Sequence, residues 1–440
     1  MKPTILEKSY AWILIVIFGG IILHAPLSVG FGTLFPHYEL LIKSWKEMLM
    51  LIAAILAVVI ISKRHLWKEL SRDLLFKLIV AYALLHMLLV AVLFQGSTQT
   101  AAGLAVDLRY VLFFGLIYIL VKTLPQYRRP LIITGVAGAV VVVGFAVLQL
   151  FLPADVLKYI GYGKNTIEPY LTVDKNPDFI RVNSTLRGPN PLGAYVAIVL
   201  ACFVAAWAYG VVKFKASKDK ILAGLFAACS LIALWISYSR SAIIAAVAAL
   251  GLVVAVVSSK YFTKTVWVGL GVAVIIVAGG LFVAKDSAFV SNVLLHENPN
   301  GGSAISSNDG HAESLTQASE RAVTQPLGGG IGSTGSASLY GDKPLIVENQ
   351  YLFIAHETGW LGFGLFVTLF AAIIVRLCRL RKNWLALGVF TSGIGLGLIG
   401  IIQPVWVDDT VSIIWWGLAG LALAGGSYGK QTKQKTARTT

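Results

Sequence analysis

Three arginines and one glutamate in this sequence lie where long apolar runs begin or end. Arg181 and Arg187 precede such a run in "FIRVNSTLRGPNPLGAYV", Arg240 falls between two runs in "WISYSRSAII", and Glu348 opens "ENQYLFIAHETGWLG". A guanidinium group presents its N–H donors in a planar fork that matches two oxygens of a phosphate. A charge beside an apolar run is costly without an anionic partner. These residue types therefore predict a site for a membrane-resident phosphate ester, of which a sugar-bearing polyprenyl diphosphate is the obvious example.

A structural interpretation stands beside the chemical one for each charged residue. A single arginine at a membrane edge can extend to the phosphates of lipid headgroups. Asp107 and Arg109 are two residues apart and point to nearly opposite sides of a helix, so we expect each to pair with another helix, as in an interhelix salt bridge. Asp408 and Asp409, in "IIQPVWVDDTV", are expected to be solvated, with substrate positioning as the alternative.

The composition is that of a membrane protein. Of the 440 residues 57% are hydrophobic and only 13% are charged, which is far from the composition of soluble domains. The apolar runs are about twenty residues long, the length of a membrane-crossing helix, rather than the alternating segments of about ten residues typical of a barrel. The net charge of +15 is expected from cytoplasmic loops and does not indicate nucleic-acid binding.

Twelve membrane helices are predicted, and basic residues set their orientation. The segments are roughly 10–30, 46–62, 74–95, 103–122, 131–152, 191–212, 221–238, 241–258, 265–284, 349–376, 384–404 and 411–427. With the N-terminus inside, alternate connections such as "KRHLWKELSR" and "RLCRLRK" are basic and cytoplasmic, as the positive-inside rule requires. We therefore predict an all-α, polytopic bundle in the cytoplasmic (inner) membrane.

Two long connections fall on the outer face, which divides the chain into four parts. Residues 1–285 hold nine helices and the outer loop 153–190, residues 286–348 form a large extracytoplasmic loop, residues 349–427 hold three helices, and 428–440 is a basic cytoplasmic tail. Within the large loop a helix is predicted over "SSNDGHAESLTQASERAV", capped by Asn308 or Asp309. Long ordered loops are usually functional, so any chemistry is expected outside.

Several tempting motifs predict nothing catalytic. Gly330, Gly332 and Gly335 have GxGxxG spacing, but no strand precedes them; we interpret them as a flexible helix terminator, or as backbone that approaches an anion closely. His356 and Glu357 open an HExxH pattern that lacks its second histidine. We therefore expect no metal. His356 is interpreted as a buried, hydrogen-bonded histidine, and the three cysteines as core thiols.

Three motifs together resemble a known superfamily. "RGPNPLG", "SYSRSA" and "PLGGGIG" followed by "ENQYLFIAHETGWLG" are similar to segments of the O-antigen ligases and polymerases, which are integral-membrane glycosyltransferases. Asn349, Gly359 and Gly362 match the superfamily pattern of His, then Asn, Ser or Gln, nine residues, Gly, two residues and Gly. The first position departs from the pattern, because Glu348 stands where the ligases have a histidine regarded as catalytic.

The resemblance implies a GT-C-like fold and a glycan transfer outside the cytoplasmic membrane. The donor would be an undecaprenyl-diphosphate-linked glycan, the acceptor a glycan, lipid or protein, and no metal or other cofactor would be needed. Arg187 and Arg240 would stabilise the departing diphosphate, and Glu348 would act as base or hold an arginine in place. The remaining predicted substrate-binding residues are Arg181, Asn190, Asn349 and Gln350; Asn190 is also expected to cap the helix that follows it.

Two other functions fit the same composition. A transporter or flippase of lipid-linked sugars would show internal repeats and broken helices near the bilayer midplane. A non-catalytic scaffold for envelope assembly would tolerate replacement of the arginines. The sequence shows no convincing repeat, and its polar residues gather at the outer edge, which favours the enzyme.

Overall fold

A computed structural model of the chain describes residues 3–173, 175–212, 216–258 and 307–426. The predicted helix at 265–284, the first part of the large loop and the basic tail lie outside these residues.

The described residues form sixteen α-helices and one small β-hairpin, with short 3₁₀ turns between some of them. In chain order they are α1 Ile5–Gly20, α2 His24–Leu34, α3 Glu39–Lys43, α4 Trp45–Lys63, α5 Trp67–Leu70, α6 Leu74–Val92, α7 Ser97–Thr123, α8 Arg128–Leu148, β1 Leu171–Val173, β2 Asn176–Arg181, α9 Pro189–Ala208, α10 Ser217–Ile236, α11 Arg240–Val257, α12 Ser307–Thr324, α13 Gly335–Ser338, α14 Gln350–Arg379, α15 Trp384–Ile402 and α16 Asp409–Gly426.

Ten segments in the described residues are long and apolar enough to cross a membrane. α1 and α2 together make the first, and the others are built on α4, α6, α7, α8, α9, α10, α11, α14 and α15; α16 is apolar but slightly shorter. Eleven of the twelve predicted helices are thus found as helices, and the twelfth falls outside the described residues. The chain is a multi-pass helical membrane protein.

Aromatic side chains fill the centre of the bundle. Trp406, Trp415 and Trp416 are fully buried and lie against one another with ring centroids 5.2–5.7 Å apart. The Tyr110 ring of α7 lies 5.0 Å from Trp416. Close helix approach is possible because Gly420 of α16 lies against the Phe114 carbonyl, where a Cβ would come within 2.7 Å. The Trp406 ring therefore anchors the turn before α16 to the aromatic cluster.

Two predicted helix caps are wrong. α9 begins at Pro189 with Gly188 as its cap, so Asn190 lies inside the first turn of the helix. The described part of α12 starts at Ser307 and includes Asn308 and Asp309 within the helix. Proline at the first helical position explains the earlier start of α9, because its missing N–H would be unpaired there in any case.

Candidate functional site

A cavity of about 290 Å³ lies at the end of the bundle where α9 and α16 begin and α15 ends. It is lined by Leu171, Arg187, Gly188, Pro189, Asn190, Pro191, Ala194, Gln403, Pro404, Val405, Val407, Asp408 and Val411. Most of these side chains are apolar. Arg187 and Asp408 bring the charges.

The loop that carries Arg187 is held firmly on both sides. The Arg181 guanidinium donates to the Asn190 side-chain oxygen at 2.5 Å and to the Ser237 carbonyl at 3.0 Å. Ser184 donates its hydroxyl to the Val142 carbonyl of α8 at 2.7 Å, and its N–H donates to Gln149 Oε1 at 2.7 Å. These bonds anchor the turn. Arg187 lies exposed at its tip.

Asp408 provides a half-buried carboxyl group in the same cavity. Burial raises its pKa above the ordinary value of an aspartate, while the N–H of Val411 and the guanidinium groups of Arg187 and Arg109 act in the opposite direction. The Val411 N–H donates to Asp408 Oδ1 at 2.9 Å and fixes the orientation of the carboxyl group.

The start of α14 supports the turn that carries Asp408. Asn349 caps the helix by accepting the N–H groups of Tyr351 and Leu352, and it donates to the Ile401 carbonyl at 2.7 Å. Gln350, which is 1% exposed, accepts the Trp406 N–H at 2.7 Å. Both predicted substrate-binding amides thus hold neighbouring backbone, and their predicted contact with substrate stays a prediction.

Glu348 and Arg240 lie beside the cavity lining. Glu348 is half-buried and its N–H donates to Ser314 Oγ of α12 at 3.2 Å, so the helix of the large loop lies over the start of α14. Arg240 is the first residue of α11, and its neighbour Ser241 accepts a hydrogen bond at 3.1 Å from Gln403, which lines the cavity. Three separate segments with predicted site residues, together with the turn that carries Asp408, therefore meet at one end of the bundle.

An ion network next to the cavity could be predicted only in part from the sequence. Arg109 pairs with Asp409 and donates to the Val407 carbonyl, which confirms that it needs partners from elsewhere in the fold. Asp409 also accepts from His24 at 2.9 Å and lies 3.5 Å from Lys46. The expectation that Asp409 is solvated is wrong, because the turn packs inward onto α2, α4 and α7.

Residues 326–335, the glycine loop, follow the end of α12 at Thr324, as expected of a helix terminator, and pack against α7 and α14. Gly330 and Gly332 have left-handed φ angles of 96° and 86°, and a Cβ on either would come within 2.5 Å of a carbonyl oxygen near the start of α7. The acceptor that this loop approaches belongs to the chain itself: the Thr334 N–H donates to Glu357 Oε1 at 3.1 Å. His356 is buried as predicted, although its Nδ1 has no hydrogen-bond partner among the described residues.

The signal that could have identified Asp408 was its position. Asp408 lies in a short connection between two long apolar helices, as Arg240 does, but a pair of aspartates in a short turn also fits a solvated loop. In the described part of the chain, no three His, Cys, Asp or Glu side chains are grouped so that they could hold a metal ion.

The comparisons with known proteins give no family assignment. No family model and no curated protein matches the chain.

Proposed function

We propose that the chain is a membrane glycosyltransferase that transfers glycan from an undecaprenyl-diphosphate carrier at the Arg187–Asp408 cavity. The observation that carries the proposal is an exposed guanidinium and a half-buried carboxyl group in one mainly apolar cavity at a helix-bundle end. A lipid diphosphate matches this cavity, because its anionic head can bind the guanidinium group and its apolar tail can contact the apolar lining.

The orientation of the cavity supports a reaction on the outer face. Basic residues such as Arg64, Lys122 and Arg376 lie near the opposite ends of the helices. Under the positive-inside rule that opposite end faces the cytoplasm. The cavity then opens on the extracytoplasmic side, where lipid-linked glycans are used without nucleotide cofactors.

The proposed reaction is a displacement at the anomeric carbon of the donor. An acceptor hydroxyl oxygen forms the new bond to that carbon, and the bond from the carbon to the diphosphate oxygen breaks. The hydroxyl proton passes to the Asp408 carboxylate, and Arg187 stabilises the charge on the departing undecaprenyl diphosphate. Arg240 is the expected second guanidinium, while Arg181 positions Asn190 and the loop.

Asp408 takes the role of base in this proposal because it lines the cavity with Arg187. Glu348, the residue predicted for that role, lies beside the cavity under α12, and its assignment stays a prediction. Replacing Asp408 and Glu348 in turn distinguishes the two assignments of the base. We expect Asp408→Asn to lower kcat at least 100-fold with little change in donor affinity, and Glu348→Gln to have a smaller effect; the opposite order would assign the base to Glu348.

The test of the function is donor turnover by purified protein. The protein would be incubated with lipid-linked oligosaccharide extracted from the source cells, and released undecaprenyl diphosphate would be measured. Arg187→Ala is expected to abolish release, whereas Arg381→Ala, an exposed arginine at the other end of the bundle, should leave it unchanged. No release by the unaltered protein, together with full activity of Arg187→Ala in cells, would refute the proposal.

A further inference from the structure

A second polar cluster lies inside the bundle, separate from the cavity. Asp107 of α7 and Glu357 of α14 are 4% and 1% exposed, and their side chains are within hydrogen-bonding reach of each other. Glu357 lies two helical turns inward from Gln350. Two carboxyl groups thus meet where water is excluded.

A hydrogen bond between two carboxyl groups requires a proton on one of them, because an ionised carboxylate can only accept. Asp107 Oδ2 and Glu357 Oε2 are buried, and within the described ranges neither has an N–H or O–H partner. Two such negative charges in contact inside the bundle would repel strongly in a medium of low dielectric constant. One shared proton removes both problems.

A buried histidine faces the Asp107 carboxyl group. His86 of α6 is 0% exposed, and its Nδ1 lies 2.8 Å from the Tyr82 carbonyl, so Nδ1 carries the hydrogen. Its Nε2 lies 3.7 Å from Asp107 Oδ2 and has no hydrogen-bond partner in the described part of the chain. At 3.7 Å these two atoms are beyond hydrogen-bonding distance, so a neutral imidazole leaves the proton to the two carboxyl groups.

The other groups around the pair do not supply a balancing cation. Arg109, two residues from Asp107, is directed to Asp409 and the Val407 carbonyl. Tyr82 and Tyr110 bring hydroxyl groups. The glycine loop brings the Thr334 N–H to Glu357 Oε1.

We propose that Asp107, Glu357 and His86 form a buried proton-binding site that retains one proton between the two carboxyl groups. Glu357 can then donate to Asp107 through one oxygen while the other accepts from the glycine loop. The proton therefore links α7, α14 and the loop that precedes α14. This site does not depend on the proposed transferase activity.

Loop N–H groups favour a proton over a metal cation at this site. The Thr334 N–H points its hydrogen at Glu357, and a cation bound to the same oxygen would meet that positive end. A site for a cation such as Na⁺ would need oxygen ligands on all sides.

Infrared spectroscopy of the purified full chain tests the proposal, because a protonated carboxyl group has a C=O band distinct from that of a carboxylate. At about pH 8, far above the ordinary carboxyl range of roughly 4, we expect this band in the unaltered protein. Glu357→Gln keeps a donor and an acceptor in place and should remove the band, as should the double variant Asp107→Asn/Glu357→Gln.

Asp408→Asn is the control, since it removes a half-buried carboxyl group of the cavity and should leave the band intact. Absence of the band in the unaltered protein would overturn the proposal whether or not any variant folds. Persistence of the unchanged band in the double variant would overturn it as well.

Discussion

At the scale of single residues, burial of Asp408 predicts the pH dependence of the proposed reaction. A base must be ionised to accept a proton, and the raised pKa of Asp408 means that it is protonated at a higher pH than an ordinary aspartate. Activity should therefore fall as the pH is lowered, with an acid limb above the ordinary value of about 3.9. Profiles of kcat/KM should show this limb for the unaltered protein and not for the residual activity of Asp408→Asn.

Arg109 allows a prediction about stability. The Arg109 side chain is buried and pairs with Asp409, whose side chain is 20% exposed and also contacts His24 and Lys46. Arg109→Ala therefore removes one of the cationic partners of Asp409. Loss of one hydrogen bond to a charged group costs about 1.5–3 kcal/mol of unfolding free energy, less than the roughly 3–5 kcal/mol expected for a buried charge left with no partner. Denaturant unfolding of purified protein should show this loss, and Arg381→Ala should stay within about 0.5 kcal/mol of the unaltered chain.

A double variant separates pairing from other effects of the replacement. Arg109→Met with Asp409→Asn removes both charges. Its loss of stability should be smaller than the sum of the losses of the single variants Arg109→Met and Asp409→Asn. A loss in the double variant equal to the sum of the two single losses would contradict the pairing.

The sequence predicts residue chemistry better than residue partners. Asp107 and Arg109 could be expected to need other helices because of their spacing, and the structure supplies Asp409 for Arg109. The partners of Asp409, which are Arg109, His24 and Lys46, come from helices that are far away in the sequence. No local pattern indicates such contacts, so the inward direction of Asp409 could not be inferred.

At the scale of elements, the kink in α14 is built on one glycine. Gly359 has a left-handed φ of 64°, and a Cβ there would come within 2.4 Å of the Pro326 carbonyl. The Trp360 N–H donates to that same carbonyl at 3.0 Å, so the glycine loop joins the helix at the kink. The resemblance had marked Gly359 as part of a pattern, and its geometry supplies a physical reason for glycine.

Gly359→Ala should therefore lower the melting temperature of the purified protein. The Gly359 backbone has φ 64° and ψ −173°, a conformation adopted almost only by glycine, which costs an alanine about 1–3 kcal/mol, and the contact with Pro326 adds to that. Gly364→Ala on the same helix is the matched control, because nothing lies within 4 Å of its added Cβ. It should be neutral or stabilising, as helix propensity favours alanine by about 1 kcal/mol. Equal effects of the two changes would contradict the strained kink.

Helices were predictable and loop geometry was not. Apolar runs of about twenty residues mark spans directly, which explains why all predicted spans in the described residues are found as helices. The hairpin formed by β1 and β2 pairs Leu171 with Arg181 inside a loop that has no alternating pattern to indicate it. Likewise the glycine loop is ordered by contacts with α7 and α14, which are distant in sequence.

For the whole molecule, the proposed function requires the cavity and the basic connections to face opposite sides of the membrane. Single cysteines at Lys164 and Arg381, both exposed at opposite ends of the bundle, test this in a chain whose Cys202, Cys229 and Cys378 are replaced. A membrane-impermeant maleimide should label position 164 in intact cells and position 381 only after lysis. The reverse pattern would place the cavity in the cytoplasm.

The most direct measurement is equilibrium binding of undecaprenyl diphosphate to the purified protein, compared with Arg187→Ala and Arg381→Ala. A hydrogen bond to a charged group contributes about 1.5–3 kcal/mol, so loss of Arg187 should weaken binding roughly 10- to 100-fold. Arg381→Ala should bind like the unaltered chain. Equal affinity of the unaltered protein and Arg187→Ala would contradict the assignment of the cavity as a lipid-diphosphate site.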